Sequence, residues 1–127
     1  MITVTGAEYA AIAVLALFVV VHLALILGAP CGVVAWGGSH RRLPVGYRIA
    51  SGLAVVVAAV FAGVAGENAG ITHLFGAPVL GVLNWLVFGF LALVIVPIVL
   101  SPSIPERFFG GIISTVVAAL FLVMALG

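Results

Sequence analysis

Four continuous apolar runs alternate with three polar or glycine- and proline-rich breaks along the 127 residues. The runs cover approximately 8–27, 47–65, 79–100 and 108–126. Each is long enough to cross the hydrocarbon layer as a helix, since a span of roughly 30 Å takes about 20 mostly apolar residues. Gly28 and Pro30 stop the first run, and Gly66 and Gly70 mark the end of the second. Ser101-Pro-Ser-Ile-Pro105 separates the last two, because two prolines cannot continue a helix. Membrane strands would alternate polar and apolar residues in short segments, and these runs do not alternate. Lipid offers the backbone no partners, so each run must close its own hydrogen bonds as a helix. The predicted fold is an all-α membrane protein, an antiparallel four-helix transmembrane bundle forming a single domain over 1–127.

Composition agrees with that reading. A hydrophobic content of 66%, a charged content of 6% and a mean hydropathy of +1.53 exclude an ordinary soluble domain. A net charge of +1 gives no basis for binding nucleic acid. The first run lacks a preceding basic region and a following small-residue cleavage site, so it reads as a retained span with Met1 as the mature start. Cys31 has no second cysteine in the chain to pair with and reads as a small buried residue.

Charge sets the orientation. Arg41, Arg42 and Arg48 lie in or beside the first connection and Arg107 follows the third, whereas the second connection, 66–78, has no basic residue. The positive-inside rule places the first and third connections in the cytoplasm and both termini outside, as in a multi-pass protein of a bacterial inner membrane. Trp36 and Tyr47 are then expected at the inner boundary, and Tyr9 and Trp85 at the outer one.

Small residues indicate which faces pack. Ser51, Ala54, Ala58, Ala62 and Ala65 form one stripe of the second span, and Gly52, Ala59, Gly63 and Gly66 form the adjoining one. This breadth predicts the second span as the buried centre. The fourth span carries a narrower stripe of Gly111, Thr115, Ala118 and Ala125, and stripes left on the third and fourth spans predict association with further helices. Pro97 should bend the third span near its inner end.

The candidate chemistry is concentrated between Gly28 and Ser51. Gly37-Gly38-Ser39 can turn backbone N–H groups toward one point, and His40, Arg41 and Arg42 follow, with Arg48 one turn before Ser51. With Arg107 they form a candidate site for an anionic ligand or lipid headgroup, arginine being suited to paired hydrogen bonds with oxyanions. The alternative is that these arginines only fix orientation and touch ordinary headgroups. His22 is the one titratable side chain deep in a span, sharing a face with Glu8, Leu15, Val19 and Ile26. It is either a proton-relay or metal or haem ligand, or a neutral histidine bonded to a carbonyl or hydroxyl of a neighbouring helix. Asn84 reads as polar glue near the outer end of the third span. Glu8, Glu67 and His73 read as solvated outer residues rather than a metal site. The chain has no Asp, so no Ser-His-Asp constellation is possible, and it has no Walker-type loop.

Trp36-Gly37-Gly38-x-His40-x-x-Leu43-Pro44 with Arg48 and Ser51, and Ser101-x-Ser103-x-x-Glu106-Arg107 further on, resembles a family of small four-span bacterial membrane proteins. The likeness covers the whole chain in layout and is specific in those two connections. It implies that the arginine-bearing surface, rather than the apolar helices, is what the family shares.

The reading from sequence is a structural or accessory membrane protein with no catalytic group and no identified cofactor. It would act in contact with membrane lipids, as a homo-oligomer or within a larger membrane-protein complex. The competing reading is an oligomeric small transporter or channel using His22 and the inner arginines.

Overall fold

The computed structural model describes residues 5–127; Met1 lies outside them. Four helices dominate: α1 over Thr5–Ile26, α2 over Val45–Ala69, α3 over Ala77–Val99 and α4 over Ile104–Leu126, and no strand occurs among the described residues. At 22 to 25 residues each, they run about 33–38 Å at a rise of 1.5 Å per residue. All four are long and apolar enough to cross a membrane. The chain is therefore an all-α, multi-pass integral membrane protein built as an antiparallel four-helix bundle.

α2, α3 and α4 start earlier than the apolar runs because proline fits the beginning of a helix. Pro78 and Pro105 fall in the first turns of α3 and α4, where an N–H would have had no partner, and Pro44 caps α2. Ser103 caps α4, its Oγ accepting the Glu106 N–H. α2 ends in a Schellman motif, with Gly70 N–H bonded to the Glu67 carbonyl and Ile71 N–H to the Gly66 carbonyl. Gly70 takes a left-handed φ of 78° there. Gly28 closes α1 with the same pair of bonds.

α1 packs against α2 and α4, and α3 packs against α4, while α2 and α3 barely touch. The core is made by Ala11 and Leu15 of α1, Ala58, Val64 and Ala65 of α2, Val87 and Leu91 of α3, and Ile113, Val117, Ala118, Phe121 and Met124 of α4. The most buried helix is α4, not α2, correcting the expectation drawn from α2's small residues. One α2 stripe does face inward, with Ser51, Ala58 and Ala65 buried, but Ala59 and Gly63 of the adjoining stripe face outward. Small side chains permit close approach on both faces, but the fold uses only one of them. The α4 stripe is likewise spent internally, since Gly111 and Ala118 are buried and only Thr115 faces out.

The first connection is folded rather than loose. Two short 3-10 turns, Gly32–Val34 and Trp36–Gly38, lead it back across the end of the bundle to α4. Leu25, Ala35 and Leu43, backed by Val21 and Trp36, form a second small core that anchors it. The arginines all sit at this end of the bundle, and the second connection, the start of α1 and the end of α4 sit at the other.

Candidate functional site

The candidate site begins with three polar side chains at the arginine end. Ser51 stands in the second turn of α2, on the stripe facing α1, and is fully buried. Its Oγ lies 3.0 Å from His22 Nδ1 on α1 and accepts a 2.9 Å hydrogen bond from Trp36 Nε1 in the connection. An indole N–H only donates, whereas a hydroxyl both donates and accepts, so Ser51 can serve Trp36 and either tautomer of His22 at once. Phe18 lies over the imidazole at a ring separation of 4.3 Å, and Trp36 meets it edge-on at 6.2 Å. His22 is thus bonded to a hydroxyl of the neighbouring helix, one of the two roles expected for it.

Trp36 lies at the arginine end of the bundle with its side chain turned inward. Its backbone has a φ of 52°, unusual for a residue with a side chain, and the indole points into the bundle to reach Ser51. Tyr47, half-exposed at the start of α2, stacks on it at 6.1 Å and lies 5.6 Å from the ring of His40. Tyr9 and Trp85 do face outward, in the half of the bundle away from the arginines.

The Gly37-Gly38 turn does gather an anion, but from its own chain. The Gly37 N–H points at both carboxylate oxygens of Glu106, at 3.2 and 3.3 Å, while the Gly38 N–H bonds the Ala35 carbonyl. Beside it the Ser103 hydroxyl donates to the Val33 carbonyl. Ser103-x-x-Glu106 has the spacing of a capping box, and its carboxylate is used across the bundle to hold the first connection. Arg48 is half-buried, with Nε donating 2.8 Å to the Leu43 carbonyl and its guanidinium against Gly28. His40, Arg41, Arg42 and Arg107 are exposed at the same end.

Toward the opposite end, Asn84 and Asn68 exchange a reciprocal amide pair at 2.7 and 2.9 Å, tying α3 to α2. Glu67, expected to be solvated, is 8% exposed and accepts the N–H groups of Leu74 at 2.6 Å and Phe75 at 3.4 Å. It serves to shape the second connection. Glu8 is also buried, on the inward face of α1, and His73 is exposed. Among the described residues, no three His, Cys, Asp or Glu side chains come together as a metal site.

The gap between α2 and α3 leaves a cavity of about 580 Å³ in the arginine half of the bundle. α1 contributes Leu15, Phe18 and His22 to its wall, and the connection closes its end with Val34–Gly37. Its flanks are Ala54 and Val57 on α2 and Val94 and Ile98 on α3. α4 completes the wall with Glu106, Phe109, Ile113 and Ser114; His22 and Trp36 are bonded to Ser51 and Glu106 to the Gly37 N–H, and most of the lining is apolar. Composition gave no warning of this cavity, because its walls are the same residue types as the packed core. No family model, curated protein or solved structure matches this chain.

Proposed function

We propose that this protein is a non-catalytic accessory protein of the membrane that works by associating with a second copy of itself through the outward face of α2. The observation that carries this reading is the face itself. Ala59 and Gly63 are exposed, with Gly52 partly so, and nothing lies within 4 Å of a Cβ placed at Gly52 or Gly63. Ala59-x-x-x-Gly63 is a small-xxx-small spacing, which lets two helix backbones approach closely where lipid supplies no hydrophobic drive. Gly52 lies two turns before Ala59 on the same face and extends the strip toward the arginine end. One face meeting its own copy across a two-fold axis is the commonest form of symmetric assembly. The bonding of His22, Ser51 and Trp36 to one another, and the folded connection across the arginine end, favour this static role over transport.

In a Cys31→Ala background, Ala59→Cys should give an oxidatively cross-linked dimer in membranes, and Leu93→Cys on the outward face of α3 should not. Equal cross-linking at the two positions, or none at Ala59, would count against the reading. The orientation is proposed from the arginines, with their end in the cytoplasm. Cysteines introduced singly at Ser39 and His73, both exposed, should then differ in intact cells, with an impermeant thiol reagent modifying only the His73 position. Modification of Ser39 alone would reverse the orientation.

A further inference from the structure

We infer that the cavity between α2 and α3 is a binding site for one acyl chain of an anionic phospholipid, entering sideways from the leaflet at the arginine end. The two helices are pinned together away from the arginines by the Asn68–Asn84 pair and by Phe61 against Phe90, whose rings meet edge-on at 5.4 Å. Toward the arginines α2 and α3 touch little, and the gap lies between two membrane-spanning helices, on the side of the bundle. From Phe61 to Ala50, both of which line it, the slot runs about 17 Å along α2 at 1.5 Å per residue. That is about half of a 30 Å hydrocarbon layer, the depth one leaflet's chain can reach. Its volume of about 580 Å³ falls within the roughly 300–1,000 Å³ of ordinary ligand pockets.

The net charge of this end selects the lipid: the one carboxylate in the lining, Glu106, is held by the Gly37 N–H, and the exposed Arg41, Arg42 and Arg107 outnumber it. Tyr47, one turn before Ala50, stacks on Trp36 of the lining and lies 5.6 Å from the ring of His40, and Arg41 and Arg42, next in the chain, are exposed at the same end. A headgroup anchored by a chain in the slot lies at the level of these cations, which attract anionic lipid. The outward face of α2 proposed for self-association is the opposite side of that helix. Gly52, Ala59 and Gly63 point about 180° from Ala50, Ala54, Val57 and Phe61 at 100° per residue. The slot therefore stays open in a dimer, and the two proposals stand or fall separately.

Trp36 lines the slot and so reports on its contents. The chain has two tryptophans, so Trp85→Phe leaves Trp36 as the sole fluorophore. This protein is placed in phosphatidylcholine vesicles with a rising fraction of phosphatidylglycerol carrying brominated, fluorescence-quenching chains. The expected result is quenching that saturates at a few mole per cent, whereas brominated phosphatidylcholine quenches only in proportion to its abundance. Filling the slot with Ala54→Phe or, from the facing wall, Val94→Phe should abolish the saturable part. Should neither variant fold, unbrominated phosphatidylglycerol added to the parent protein must restore fluorescence at equally low fractions. The double change Arg41→Gln and Arg42→Gln should raise the half-saturating fraction by at least about tenfold. Quenching of the parent protein that only tracks mole fraction, or saturable quenching that survives both slot fillings, would overturn the site. An unchanged half-saturating fraction in the arginine variant would overturn the choice of an anionic lipid.

Discussion

Gly38→Ala should loosen the first connection from α4 and lower the stability of the bundle by about 2–5 kcal/mol. Gly38 sits at a φ of 72°, where an ordinary residue costs about 1–2 kcal/mol. A Cβ there would also collide with the Ser103 side chain and come within 2.9 Å of the Val33 carbonyl oxygen, and such overpacking costs about 1–3 kcal/mol more. The neighbouring Gly37 separates the two effects, since its φ is 81° but nothing lies within 4 Å of its Cβ position. Gly37→Ala should therefore show only the conformational cost. Unfolding by a denaturing detergent, followed through Trp36 fluorescence in a Trp85→Phe background, measures both. Equal losses for the two glycines would mean that the contact with Ser103 contributes nothing.

Ser51→Ala should be the most damaging conservative change inside the bundle, costing about 1–3 kcal/mol. The hydroxyl is the common partner of Trp36 Nε1 and His22 Nδ1, and removing it leaves a buried donor and a buried ring nitrogen unpaired. Interhelical hydrogen bonds in membranes are individually modest, averaging about 0.6 kcal/mol. The expected cost therefore rests on two partners being lost together. In the same unfolding measurement, Ser51→Thr should retain most of the stability and Ser51→Ala should lose it. Trp36 emission should shift to longer wavelength in Ser51→Ala as the indole leaves its site. A variant as stable as the parent would show that the three side chains are neighbours without being coupled.

What could be read from the sequence divides along physical lines. The four helices were legible because a bilayer leaves the backbone no alternative, and twenty apolar residues in a row admit only one structure there. His22 and Asn84 were legible in kind, because a polar group inside a span must find a partner, although Ser51 and Asn68 could not be singled out. The small-residue rule indicates close approach but not its direction, and so it points to α2 as the centre when α4 holds that place. Small faces suit an internal partner and an external one equally well, and the choice depends on all four helices at once. The fold of 28–44 was the least legible part. It depends on a left-handed Trp36 and on two clamps separated by about seventy residues, Ser103 to Val33 and Glu106 to Gly37. The Ser103-x-x-Glu106 spacing was the available signal, and it pointed to a helix cap while leaving the distant partner unstated. Glu67 deceived for a similar reason. A carboxylate three residues before a helix-ending glycine can fold back onto the next loop's N–H groups, and charge alone suggests solvent.

The central claim is that two copies meet through the outward face of α2, and its most direct test is energy transfer between donor- and acceptor-labelled copies in lipid vesicles. Cys31, the only cysteine, is exposed in the first connection rather than buried as its residue type suggests, and labelling there leaves the helices unaltered. For the parent protein, transfer should fall on dilution with lipid along a monomer–dimer curve. For Gly63→Leu, which adds bulk to the face where nothing else lies within 4 Å, it should drop to the level of random encounter at every dilution. Transfer in Gly63→Leu equal to that of the parent, or transfer in the parent no greater than random encounter, would contradict the account.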